Sequence, residues 1–115
     1  MSQHAAKLEH ISSLLRTRPD QARALCQRLV QSAPRDPYVQ STMARVLLFL
    51  GNTQQALHFA QRAADLAPAD PDLLMMLAEM LGYENQHGKA LATLDLALAL
   101  APEHRGCLYH RVLAL

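Results

Sequence analysis

The sequence predicts an all-α protein built from one helical unit copied in tandem. Three observations carry this prediction. Ala33-Pro34, Ala67-Pro68 and Ala101-Pro102 recur with a period of 34 residues, and self-similarity at a fixed period of this size marks a stacked repeat. Half of the chain is apolar, chiefly Ala and Leu, with no Trp and few aromatics. These residues favour helix, and the β-branched residues that favour strands are scarce. Finally, Asp36-Pro37 and Asp70-Pro71 follow two of the marks at the same offset. An Asp before a helix accepts a bond from an unpaired amide, and Pro at the first helical position forfeits none.

The elements follow in order. A first helix carries Leu8, Ile11 and Leu15 on one face, the spacing of an amphipathic helix. A second is expected from Asp20 to Ser32, with Ala22 in phase with Ala56 and Ala90. For the first helix to keep the period, the Arg16-to-Asp20 turn has to be about two residues short. The third helix starts after Asp36 and runs to about Leu50, where Gly51-Asn52 breaks the chain. The fourth runs from about Thr53 to Leu66. The fifth starts after Asp70 and runs to about Tyr83, loosened by Gly82, Asn85 and Gly88. The sixth runs from about His87 to Leu100, with Pro102 just beyond it, where proline cannot continue a helix. A seventh begins near His104.

Aligned without a gap, Ala33–Leu66 and Ala67–Leu100 are identical at ten positions. Ala44 pairs with Ala78, Leu47 with Leu81, Ala56 with Ala90, and Ala63 with Ala97. Small and apolar positions recur while the others drift, as expected where packing repeats and surface does not. These residues resemble the tetratricopeptide repeat. Ala44 and Ala78 match its small position at the close helix crossing, Ala56 and Ala90 its second-helix alanine, and Gly51 its turn glycine, which Asn85 replaces one unit on. The large aromatics of that family are mostly absent: Gln40 and Leu74 stand where Trp is common, Leu47 and Leu81 where Tyr is common. The resemblance implies a right-handed α-solenoid of three helix–turn–helix repeats, about 4–34, 35–68 and 69–102 within a single domain 1–115, closed by a capping helix 104–115.

Charge and motifs exclude several function classes. Eleven basic and ten acidic residues are scattered, for a net charge of +1, so the clustered basic footprint of a nucleic-acid binder is missing. No apolar run is long enough to span a bilayer. Met1 to Lys7 lacks the apolar run of a signal peptide. With Cys26 and Cys107 far apart, two reduced thiols in a cytoplasmic protein are the expectation. The six histidines form no pair four residues apart, and no Cys-x-x-Cys is present, so no metal and no cofactor is implied and the histidines read as solvated. Glu79, Glu84 and Asp95 share no helical face, and no phosphate-binding or nucleophile motif occurs. The chain is not expected to be an enzyme. Cys26, Met76 and Met80 read as core residues. A leaning toward Arg over Lys suits a bacterial source.

What the resemblance implies about function is protein binding. First helices of successive units line a concave groove that holds a partner's peptide or helix. The positions facing it would be Tyr38, Ser41, Arg45 and Leu48 in one unit, Asp72, Met75, Glu79 and Gly82 in the next, and Tyr109 in the last helix. A clamp for a chaperone's C-terminal carboxylate, used by some members, is not expected: its asparagines are missing, and Glu79 would repel the carboxylate. The main expectation is a protein–protein interaction scaffold. The alternatives are the N-terminal repeat region of a larger enzyme (a sulfotransferase, glycosyltransferase or aspartyl hydroxylase) or a small bacterial secretion or assembly chaperone. The last helix stops on Val112-Leu113-Ala114-Leu115 without a polar cap. That leaves open a longer chain, or an end that meets a partner or a second copy of itself.

Overall fold

A computed structural model describes residues 4–115. Met1, Ser2 and Gln3, which the expected domain and the signal-peptide reading include, lie outside the described residues. The described residues form seven helices and no strand: α1 Ala5–Leu14, α2 Pro19–Ser32, α3 Pro37–Phe49, α4 Thr53–Leu66, α5 Pro71–Tyr83, α6 His87–Leu100 and α7 Arg105–Ala114. Each helix packs on the next, α1 also meets α3, and α5 also meets α7. The odd-numbered helices therefore make one face of the stack and the even-numbered helices the other.

The helices that open the later units, α3, α5 and α7, start at a side-chain cap. Asp36 Oδ1 accepts from the amides of Tyr38 and Val39, and Asp70 Oδ1 from those of Asp72 and Leu73. Pro37 and Pro71 follow at the first helical position. The third mark uses a different residue. His104 caps α7, its Nδ1 accepting from the Cys107 amide at 3.1 Å. The turns between units share one bond, from the amides of Asp36, Asp70 and His104 to the carbonyls of Ala33, Ala67 and Ala101.

The turns inside the second and third units also match each other. Gly51 (φ +84°) and Asn85 (φ +60°) adopt the left-handed conformation. The amides of Asn52 and Gln86 then reach back to the carbonyls of Leu47 and Leu81, both at 2.9 Å. This is the Schellman closure, which needs a glycine or an asparagine at its left-handed position. Gly82 and Gly88 lie inside α5 and α6 instead of loosening the turn. Asn85 alone breaks the chain there.

The first unit is offset by two residues, as the period requires, but not through a short turn. Ala5 lies 32 residues before Pro37, whereas Pro19 lies 34 before Thr53. The missing length comes out of α1, which has 10 residues against 13 in α3. Its connection, 15–18, has four residues. Pro19 keeps Arg18 out of the helical conformation (φ −140°, ψ 68°), so the break falls ahead of it.

Alanines set the helix spacing. Ala22, Ala44, Ala56, Ala60, Ala63, Ala78, Ala90 and Ala97 are all buried, which lets backbones approach closely where larger side chains would hold them apart. Leu8, Ile11, Leu47, Leu81, Leu94, Met76 and Met80 fill the space between. Gln40, at the aromatic position, is 1% exposed. Its Nε2 donates to the Pro34 carbonyl at 2.8 Å, which ties α3 to the turn before it. Cys26 and Cys107 are free, buried thiols.

Candidate functional site

The expected contact residues lie on the face made by the odd-numbered helices α1, α3, α5 and α7. Side-chain bonds sew the helix starts together. The Tyr38 hydroxyl, at the second position of α3, donates to Asp70 Oδ2 at 2.7 Å. Asp72, the same position in α5, meets His104 Nε2 at 2.5 Å. Because His104 Nδ1 accepts the Cys107 amide, its Nε2 carries the proton that Asp72 accepts. Each bond joins one first helix to the cap of the next. The Asp70 carboxylate, through its hydrogen bond and its charge, pushes the Tyr38 phenol above its ordinary value. His104 is thus a partnered capping residue, not a solvated one.

The remaining expected positions differ in exposure and in partners. Ser41, 6% exposed, turns its hydroxyl to the Tyr38 carbonyl at 3.0 Å and forms floor, not rim. Leu48 and Met75 are half-buried and pack against the core. Met75 lies under α7: a Cβ at Gly106 would come within 2.5 Å of its sulfur, so a larger residue there would have to displace the flexible Met75 side chain. Arg45 is exposed and Glu79 half-buried. Neither makes an ion pair or hydrogen bond among the described residues. Tyr109 is 64% exposed and stacks edge-on against His110.

Two clefts mark the face. One, of about 480 Å³, lies between α1 and α3 and brings together Tyr38, Ser41 and Arg45, with Glu9 and Ser12 opposite. The other, of about 270 Å³, lies between α5, α6 and α7 and holds Glu79 and Gly82 with His87 and His110. Sequence reasoning missed Glu9 and Ser12, which enter only because α1 is offset by two residues. Wider depressions of about 620 and 710 Å³ lie on the even-helix face, lined mainly by Gln54, His58, Gln61 and neighbours. No cluster of three or more metal-ligating side chains occurs among the described residues. No helix among them is long and apolar enough to cross a membrane.

The even-numbered helices cover one side of α3 and α5, but none of the described residues covers that side of α7. Leu108, Val112 and Leu115 occupy the register of Leu74, Ala78 and Leu81, which α6 buries. They are 44%, 68% and 78% exposed. Arg111, in the register of buried Leu77, donates instead to Asp95 at 2.8 Å across the α6–α7 seam.

No family model matches the chain, and no curated protein matches it. Solved structures do. An O-GlcNAc transferase mutant of Thermobaculum terrenum superimposes with a TM-score of 0.80 at 21% identity, over all of this chain and 23% of that one. The second TPR domain of human RPAP3, solved with an HSP70 peptide, gives 0.81 at 10% identity, over 92% of this chain and 89% of its own. The type III secretion translocator chaperone SycD of Yersinia enterocolitica gives 0.78 at 15%, over 99% and 81%. The chain has the tetratricopeptide-repeat fold.

Proposed function

We propose that this tetratricopeptide-repeat chain is a protein-interaction module that docks a partner's peptide or helix on the face lined by α1, α3, α5 and α7. One observation carries the reading: Arg45 and Glu79, at the same position of successive units, face clefts without partners of their own. An unpaired charge beside a concave, largely apolar surface orients a partner segment. Similarly shaped domains support it, since one was solved with an HSP70 peptide and another is a secretion chaperone. Of the expected contact residues, Arg45, Glu79 and Tyr109 are available outright. Tyr38 and Asp72 offer what their inter-unit bonds leave, and Ser41, Leu48 and Met75 shape the floor.

In this reading the chain catalyses nothing itself. A repeat region within a larger enzyme would use the same face to position a substrate, and the transferase likeness extends over 23% of that protein. Nucleic acid is no partner, because the basic residues do not cluster. The buried free thiols suit a reducing, cytoplasmic setting. Self-association is a second reading, favoured by the exposed Leu108 and Val112 of α7 and Leu115 just after it. Light scattering tests it. A second copy on this face gives a dimer that Val112→Asp dissociates, and a monomer at high concentration removes the reading.

The groove is tested with peptides selected from a displayed random library against the whole chain. Arg45→Glu is expected to weaken the selected peptides about tenfold while leaving helicity intact. Undiminished binding to both Arg45→Glu and Glu79→Arg would place the site elsewhere.

A further inference from the structure

We infer that the cleft between α5, α6 and α7 receives one basic side chain, a lysine or an arginine, of the docked segment. This rests on the groove reading above. The cleft comes from a break in the repeat's own register. Gly82 stands where the preceding unit has Leu48, and Ala114 stands where α5 has Met80. Leu48 packs against the core and Met80 is buried, so the corresponding space one unit earlier is filled. Without those side chains, about 270 Å³ opens over Ala78, Ala90 and Leu94. That is room for one side chain, not for a drug-sized molecule.

The lining sets what fits. Its floor is apolar. Its carboxylate is Glu79, half-buried and without a hydrogen bond or ion pair among the described residues. Its other polar side chains are Tyr83, His87 and His110, and no lysine or arginine lines it. A carboxylate partly withdrawn from water and unpaired favours a cation. A basic side chain offers an alkyl stem for the floor and a charged head for Glu79. An acidic side chain meets repulsion there. Arg45, one unit earlier, has the opposite sign; it makes no ion pair among the described residues but shares its cleft with Glu9.

The test is an NMR titration of the ¹⁵N-labelled chain with Nα-acetyl-lysine methylamide, compared with its norleucine and glutamate analogues. The lysine probe is expected to shift the amides of Tyr83 and Leu113 saturably and to bind about two- to fivefold tighter than norleucine, the range for a partly exposed ion pair. The glutamate probe should leave these signals in place. Glu79→Gln should erase the advantage of lysine. Gly82→Leu should abolish the shifts by refilling the cleft. A Cβ at Gly82 meets no atom within 4 Å, and circular dichroism verifies that this variant keeps its fold. Equal binding of lysine and norleucine, no shift with any probe, or shifts that survive Gly82→Leu would each overturn the assignment. If that happens while Arg45→Glu still weakens selected peptides, the cleft assignment falls and the groove reading stands.

Discussion

At the scale of single residues, position in the stack decides chemistry more than residue type does. Cys26 and Cys107 are both buried. Burial pushes the Cys26 thiol from an ordinary 9.0 up to about 12, and it raises Cys107, helped by the Asp72 charge. A raised thiol stays neutral in the fold while the unfolded chain ionises. The stability it contributes is therefore complete below pH 9 and is lost as pH rises from there toward 12. The urea midpoint should fall over that window, and less steeply in Cys26→Ala; equal slopes would contradict the assignment. The reading of Cys26 as core was available from its register. The partnership of His104 with Asp72 was not, because it depends on a ring tautomer fixed by a cap that only the folded turn provides.

At the scale of elements, the punctuation was legible and the side-chain directions were not. Asp36-Pro37, Asp70-Pro71 and Gly51 announce their caps by chemistry that acts within a few residues. Gly82 looks like the same kind of signal but sits in a helix with room for a Cβ, whereas Gly51 is left-handed. The two should answer oppositely to one substitution. Gly82→Ala should stabilise by about 0.5–1 kcal/mol, because alanine suits a helix interior. Gly51→Ala should destabilise by about 1–2 kcal/mol, because a Cβ resists the left-handed conformation. Thermal melts that move the same way would refute the assignment of Gly82 to α5. Ser41 and Met75 show where local reasoning ends. Their burial depends on how closely α1 approaches α3 and how Gly106 lets α7 settle on α5, and neither is encoded near those residues.

At the scale of the whole molecule, one feature stands out: a face whose first helices are tied together at their starts. Tyr38–Asp70 and Asp72–His104 tie successive first helices together at their starts. That fixes the spacing of Arg45, Glu79 and Tyr109 before any partner arrives, and a preorganised surface loses less entropy on binding. The solenoid was readable from the 34-residue period alone. The two clefts were not, since one needs the offset of α1 and the other needs Gly82 and Ala114 to coincide in space. The most direct test of the groove is to map the footprint of one library-selected peptide on the labelled chain by amide chemical shifts. The account predicts changes along the odd-numbered helices, around Arg45, Glu79 and Tyr109. Changes gathered around Gln54, His58 and Gln61 on α4, with the groove face silent, would contradict it.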